Sequence, residues 1–220
     1  MSLRHSLIDH AQMPVRVLIT DCPPSQELLE EVYLPVLAEN RVQVLIRLCE
    51  PTYATAVLEA AGVRVIDTMA FTDGTPPPQP VLADYRTLID TLVAATPDTK
   101  PTIAVHCVSG IGRAPIFAVI ALVDAGVERI EAVEFVRMRR RGAFNKSQLE
   151  WIMDERNGLV RRKKPNLAFG GWGGSKVGTP TKTSSDSRNS MASVQSERTS
   201  VTSSATKKKN GFLGLFSKKG

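Results

Sequence analysis

Short apolar runs alternate with longer segments of helical periodicity over the first two-thirds of the chain. Four runs of apolar or β-branched residues are typical of buried strands, at residues 15–20, 43–48, 63–66 and 102–106. Apolar positions at helical spacing predict helices at residues 25–38 (kinked at Pro35), 52–61, 81–94, 113–124, 128–140 and 146–155. This alternation predicts an α/β domain with a central, mainly parallel sheet flanked by helices.

The pattern stops near Pro165, where the composition changes. We therefore expect one folded domain over residues 1–165. Half of the 32 positions between Ser175 and Thr206 are Ser or Thr, so residues 166–206 are predicted to be a disordered Gly/Ser/Thr-rich linker. Residues 207–220 combine lysines with two Phe and two Leu, and form a basic-hydrophobic tail.

The net charge of +6 belongs to this C-terminal part. Nine Lys and Arg against two acidic residues follow Asn166, whereas the residues before it hold 19 basic and 20 acidic side chains. A basic tail on a neutral domain predicts attraction to an anionic surface and argues against a nucleic-acid-binding domain. Three cysteines are too few for a disulfide framework, and the N-terminus lacks an apolar signal region, so we expect a cytoplasmic protein.

A glycine-bearing loop joins the predicted strand 102–106 to the helix 113–124. Cys107 ends the strand, and Arg113 follows five spacer residues later. Glycines let successive backbone N–H groups turn inward, and the helix N-terminus adds positive potential, so the segment predicts a cradle for a phosphate group. The predicted cradle consists of Val108, Ser109, Gly110, Ile111, Gly112 and Arg113.

The same field favours the thiolate form of Cys107. A thiolate beneath a bound phosphate predicts in-line attack on phosphorus and a cysteinyl-phosphate intermediate. No metal or cofactor is expected, because Arg113 and the loop amides neutralise the phosphate oxygens. The alternative interpretation is that Cys107 is a small buried residue and Arg113 a surface charge.

Asp73 is the candidate proton donor to the leaving group. It lies on a Gly/Pro-rich loop about thirty residues upstream of Cys107, from which it can reach a bound phosphate. An Asp-Gly pair is also a common turn former, so a purely structural role for Asp73 remains the alternative.

Four blocks in order resemble the phosphatase of regenerating liver family, protein tyrosine phosphatase type IVA, within the dual-specificity class. The blocks are residues 47–53, 71–78, 105–115 and 139–145, and the resemblance covers about residues 15–155. It implies that Cys107 is the nucleophile, Arg113 the phosphate clamp and Asp73 the general acid. The implied activity is hydrolysis of phosphotyrosine proteins, with acidic phospholipids as the less favoured substrate.

The chain departs from the resemblance in the acid loop. The family usually carries Trp-Pro and two consecutive Asp around its Phe, whereas this chain has Met69-Ala70 and Thr72-Asp73. Asp73 matches the second, catalytic Asp. Without the Trp-Pro hinge, the sequence does not predict whether this loop closes over a bound phosphate.

Ala114 stands where most relatives in the wider class have Ser or Thr after the arginine. Alanine has no hydroxyl to hydrogen-bond the departing thiolate, so we expect slow turnover. The alternative function is therefore a weakly catalytic binding module. The resemblance implies that its partner is a CBS-domain magnesium transport mediator.

Several further residues have two interpretations. The resemblance implies a reversible disulfide between Cys49 and Cys107. The alternative is that Cys49 is a buried structural cysteine, which is also the role predicted for Cys22.

His106 is either an orienting residue behind the nucleophile or a buried histidine, and Gln148 is a candidate for positioning water. A basic run is either a solvated helix face or a site for a polyanionic partner, and comprises Arg137, Arg139, Arg140 and Arg141.

The tail also has two interpretations. No cysteine follows Cys107, so the prenylated cysteine that ends the family's typical members is not expected here. The lysines and the Phe/Leu segment of residues 207–220 predict weak peripheral contact with an anionic membrane. The alternative is a tail that only adds solubility.

Overall fold

The computed structural model describes residues 3–162, and the predicted linker and tail lie outside these residues. The strands are β1 (His5–Ile8), β2 (Arg16–Thr20), β3 (Val42–Arg47), β4 (Arg64–Ile66) and β5 (Thr102–His106). They form a five-stranded sheet in the order β1-β2-β5-β3-β4. Three pairings, β2 with β5, β5 with β3, and β3 with β4, are parallel, which confirms the predicted sheet.

Strand β1 is an edge strand that the apolar pattern does not predict. It pairs antiparallel with β2, with His5 opposite Thr20 and Ile8 opposite Val17. Of its four residues only Ile8 is buried, so its sequence lacks the apolar run that marked the other strands.

Seven α-helical segments flank the sheet, and none in the described part of the chain is long and apolar enough to cross a bilayer. They lie close to the predicted helices, with ends shifted by a few residues. The segments are α1 (Gln26–Leu28), α2 (Leu34–Glu39), α3 (Ala56–Ala60), α4 (Gln79–Ala95), α5 (Arg113–Asp124), α6 (Arg129–Arg139) and α7 (Lys146–Met153).

The predicted helix 25–38 contains a wide turn instead of a simple kink. Residues Leu29–Tyr33 between α1 and α2 are π-helical, and the Leu34 N–H donates to the carbonyl of Leu29. Pro35, next in the chain, has no N–H to give to a preceding carbonyl, which favours an irregular turn at this point.

Alternating residues of the strands pack two cores on opposite faces of the sheet. Ile103 and Val105 of β5 contact the core formed with α4 to α7, whereas Ala104 faces the core under α1 to α3. All five residues of β5 and all residues of α5 are buried. The connection from β5 to α5 therefore starts and ends on fully buried elements.

The carboxyl ends of β2, β3 and β5 meet at one edge of the sheet. The three cysteines follow these strands directly, Cys22 after β2, Cys49 after β3 and Cys107 after β5. Open parallel sheets bind ligands at this edge, so the topology places the predicted site where the fold class favours one.

Candidate active site

Four successive carbonyl groups of the loop after β5 point away from its centre. The carbonyl of Val108 accepts a hydrogen bond from Cys22 N at 3.0 Å, and that of Ile111 accepts one from Phe144 N at 2.8 Å. Arg140 satisfies the two between them, donating from Nη2 to Ser109 at 3.0 Å and from Nε to Gly110 at 2.9 Å. Because a peptide C=O and its N–H point in opposite directions, this arrangement turns the amides of the loop inward.

The inward amides have no partner of their own. Within residues 3–162 no N–H group of residues 108–112 donates a hydrogen bond. Gly112 is the N-cap of α5, so the positive end of that helix faces the same space. The loop can therefore receive a tetrahedral oxyanion.

Gly110 is the residue that allows the tight curl. Its φ is +66°, and a Cβ atom there would collide with the Thr20 carbonyl and the Arg140 guanidinium. Phe144 also has a positive φ, of 69°, in the turn that brings its N–H to the loop. A non-glycine residue in this conformation carries strain, which the surrounding contacts must hold in place.

Arg140 corrects the interpretation of the basic run as one solvated face. Its side chain is only 5% exposed, and it also donates to the Arg4 carbonyl at 2.8 Å. Burial lowers the pKa of the Arg140 guanidinium, which indicates the cost of placing the charge there. Arg137, Arg139 and Arg141 are exposed. Arg140 is thus a positioning residue for the phosphate loop.

Cys107 is almost completely buried between β5 and the loop. Arg113 begins α5 and is also buried, and its Nη1 donates to the carbonyls of Leu48 and Phe71. Its Nε lies 2.9 Å from Asp73 Oδ1, a pairing by charge without an aligned hydrogen bond. The structure therefore brings together Arg113 and Asp73, although they are forty residues apart in the chain.

The loop that carries Asp73 lies over the cleft without the Trp-Pro hinge of the family. Asn145 Nδ2 donates to the Gly74 carbonyl at 3.0 Å and ties the loop to the start of α7. The Asp73 side chain is 75% exposed, so it faces solvent at the mouth of a cleft of about 1010 Å³. The carboxyl group is placed where it can meet a leaving group that enters from solvent.

Gln148 is fully buried beneath the phosphate loop. Its Oε1 accepts from Asn145 N at 3.1 Å in the capping box of α7. Its Nε2 has no hydrogen-bond partner among the described residues and lies 3.5 Å from the position of a Cβ on Gly112. A buried amide without a partner next to the loop suits the predicted role of Gln148 in holding water.

His106 and Cys49 lie beside the loop. His106 is fully buried, with its Nε2 2.5 Å from Tyr53 Oη and its Nδ1 3.8 Å from Cys49 Sγ. All three cysteines are free thiols, so the bridge between Cys49 and Cys107 remains a prediction. Ala114, the residue without a hydroxyl, is fully buried in the first turn of α5.

Cys22, predicted to be structural, lines the same cleft as Cys49. The neighbouring Cys49 thiol lowers the pKa of Cys22, whereas Cys22 and burial together raise the pKa of Cys49. The sequence holds one signal for this pair, because each cysteine comes two residues after the end of a strand. The signal becomes meaningful only when both strands lie next to β5.

Known proteins are similar to this chain in sequence and in fold. A solved protein tyrosine phosphatase from Leishmania major has a TM-score of 0.61 at 37% identity, over 68% of this chain and 96% of its own. The PRL-1 phosphatase of Drosophila melanogaster is 39% identical over 147 residues, which are 67% of this chain and 80% of that protein. Mouse protein tyrosine phosphatase type IVA 2 is 38% identical over 63% of this chain and 80% of its own length.

The chain belongs to the protein tyrosine phosphatase type IVA family. This confirms the resemblance and the fold class that the sequence predicted. No protein-family model matches the chain. The solved structure of Tk-PTP in its active form has a TM-score of 0.53 at 21% identity, a similarity that extends to the fold alone.

Replacing Gly110 should damage the type IVA phosphate loop selectively. We expect Gly110→Ala to lower kcat/KM for an aryl phosphate by about 100-fold, because the added Cβ displaces the loop amides. Gly62→Ala is the matched control, since Gly62 has a φ of +79° but open space around its Cβ position, and lies outside the loop and the stretch that supports it. It should cost about 1 kcal/mol of stability and leave kcat/KM close to wild type. Equal losses in the two variants would contradict this account.

Removing the Arg140 guanidinium should loosen the same loop from behind. In Arg140→Met the carbonyls of Ser109 and Gly110 lose their donors, so we expect kcat/KM and the affinity for vanadate to fall together, each by about 100-fold. Arg141→Met removes an exposed charge of the same run and should change neither value. A similar loss in Arg141→Met would mean that overall charge, not loop position, is what matters.

Proposed function

We propose that this chain hydrolyses phosphotyrosine in proteins through a cysteinyl-phosphate intermediate, as a protein tyrosine phosphatase of dual-specificity architecture. The observation that carries the proposal is the set of outward carbonyls, which leaves unpaired amides around the space next to Cys107. Curated relatives at 36–39% identity are named protein tyrosine phosphatases, and this supports the same hydrolase class for the chain.

In the first step the Cys107 thiolate attacks phosphorus. A P–S bond forms as the ester P–O bond breaks, and Asp73 gives its proton to the leaving phenolate oxygen. The amides of residues 108–112 and the Arg113 guanidinium stabilise the charge on the three equatorial oxygens. For this contact the Arg113 guanidinium must turn from the carbonyls of Leu48 and Phe71 towards the phosphate when the substrate binds.

In the second step water attacks the phosphorus of the cysteinyl phosphate. Asp73 takes the proton from this water, the P–S bond breaks, and inorganic phosphate and the Cys107 thiolate are released. The unpaired Nε2 of Gln148 supports a role for this side chain in holding the water. Ala114 offers no hydroxyl to the departing sulfur, so this step is expected to be the slower one.

The apolar residues that line the cleft favour an aryl phosphate. Its walls include Pro23, Pro51, Ala70 and Phe71, which suit the flat, apolar ring of a tyrosine ester better than a hydroxyl-rich sugar or inositol. A phosphoprotein is therefore the proposed substrate, and an acidic phospholipid is the less favoured one.

Slow breakdown of the phosphoenzyme favours a second role in binding. A CBS-domain magnesium transport mediator remains the predicted partner for that role, and the buried Ala114 bears on the turnover rate only. Redox control through Cys49 and Cys107, the cytoplasmic location and the anionic membrane contact also remain predictions. The residues behind the membrane contact, 207–220, lie outside the described part of the chain.

The proposed chemistry predicts that the loss caused by Asp73→Asn depends on the leaving group. For alkyl-substituted phenyl phosphates, whose phenolates leave poorly, kcat should fall by about 100-fold or more, because no acid protonates the oxygen. For nitrophenyl phosphates the loss should be much smaller. The measurement is steady-state hydrolysis of a series of aryl phosphates by the reduced protein, and Cys107→Ser should show no turnover with any of them.

Asp84→Asn, on the exposed surface of α4, is the matched control and should behave as wild type. Phosphate release that survives Cys107→Ser would exclude the proposed function. A loss in Asp73→Asn that is equal for all leaving groups would exclude Asp73 as the general acid while leaving the nucleophile intact.

A further inference from the structure

Two thiols and an imidazole converge at the carboxyl edge of the sheet. Cys22 Sγ, Cys49 Sγ and His106 Nδ1 all lie within 4.8 Å of one another. None of the three forms or breaks a bond in the proposed phosphatase reaction. We propose that Cys22, Cys49 and His106 form a binding site for a thiophilic divalent cation, with Zn²⁺ as the ion that fits best.

The sheet fixes the positions of these residues. β2 and β3 lie on either side of β5, and each supplies a cysteine two residues beyond its end, while His106 is the last residue of β5. The backbone next to each is tied to β5 or to the loop that follows it, through Cys22 N to the Val108 carbonyl at 3.0 Å and Leu48 N to the His106 carbonyl at 2.9 Å. The three donors therefore lie at strand ends whose backbone is hydrogen-bonded to neighbouring segments.

The distances suit tetrahedral coordination. Bonds of about 2.3 Å to sulfur and 2.0 Å to nitrogen place the ligand atoms of one zinc ion roughly 3.5 to 3.8 Å apart. Cys49 Sγ and His106 Nδ1 are 3.8 Å apart already. The remaining separations reach at most 4.8 Å, so a small side-chain rotation brings all three donors to one ion.

Tyr53 holds the imidazole in the orientation that this coordination needs. Its hydroxyl lies 2.5 Å from His106 Nε2, which leaves Nδ1 facing the two sulfurs. With Nε2 donating its proton to the Tyr53 oxygen, Nδ1 presents its lone pair to the cation. A hydrogen bond on the second ring nitrogen is the usual partner of a coordinating histidine.

The donor set selects the class of cation. Two thiolates and a neutral imidazole favour zinc and similar thiophilic ions, whereas Mg²⁺ and Ca²⁺ prefer oxygen ligands. Three protein ligands leave a fourth position for water, and Cys22 and Cys49 both line the cleft through which water can enter. Binding releases the thiol protons to solvent, and no electron is transferred.

The test uses the full chain in the Cys107→Ser form, so that the third thiol cannot act as a ligand. The protein is reduced with a phosphine and titrated with Co²⁺, which reports thiolate ligands by charge-transfer absorption and tetrahedral geometry by strong visible bands. We expect one Co²⁺ per chain with both features, and displacement of the ion by one equivalent of Zn²⁺.

Two variants in this background identify the ligands. Cys22→Ser removes a sulfur with little change in shape, and should reduce the charge-transfer absorption and weaken Co²⁺ binding by more than 100-fold, beyond what loss of an outer-shell partner costs. Tyr53→Phe keeps both sulfurs, so the charge-transfer absorption should remain while affinity falls about 10- to 100-fold. Far-ultraviolet circular dichroism of each variant checks that the fold is retained.

Three results would overturn the site. The first is a charge-transfer band that Cys22→Ser leaves unchanged. The second is a band present in the wild type but absent in Cys107→Ser, which would make the nucleophile the main ligand. The third is weak binding of several ions without sulfur absorption. None of these results bears on the phosphatase reaction, which is measured separately.

Discussion

Four carbonyl groups held away from a phosphate site are the constraint on which this structure depends. Backbone N–H groups can converge on an anion only when the carbonyls of the same peptides have partners elsewhere. Here Cys22 and, far along the chain from it, Arg140 and Phe144 supply these partners. The loop after β5 is thus shaped from outside, and its glycines only permit the shape that these donors impose.

This dependence ties the chemistry to the whole domain. The donor at Cys22 follows β2, Arg140 follows α6, and Phe144 lies in the turn before α7. The capping residue of α7, Asn145, also holds the acid loop through Gly74. One short stretch, residues 140–148, therefore positions the phosphate loop, the acid loop and the amide of Gln148 together.

The sequence predicted the parts of the site whose signals are local. β5, the loop of residues 108–112 and α5 are adjacent in the chain, and apolar runs, glycines and the spacing from Cys107 to Arg113 mark them directly. The parallel sheet also followed from the alternation of strands and helices. In these segments the local preferences and the fold agree, which is why a single sequence was sufficient.

Long-range contacts account for what the sequence did not predict. In the sequence Arg140 cannot be told apart from the exposed arginines beside it. Its burial depends on the carbonyls of Ser109 and Gly110, which are distant in the chain and leave no mark on the helical pattern. Cys22 becomes a partner of Cys49 only once β2 and β3 lie on either side of β5. Strand β1 has one buried residue and is held by pairing with β2, which no run of apolar residues marks.

The contact between Asp73 and Arg113 gives the resting protein an internal competitor for its own substrate. The guanidinium that should clamp a phosphate dianion is already neutralised by a carboxylate 2.9 Å away. An incoming ester must displace that anion, and Asp73 must take up a proton before it can act as the general acid, which weakens ground-state affinity. After hydrolysis Asp73 releases to solvent the proton that it took from water, and the carboxylate can return to the guanidinium and help to expel inorganic phosphate. The same pair that weakens substrate binding therefore also limits product inhibition.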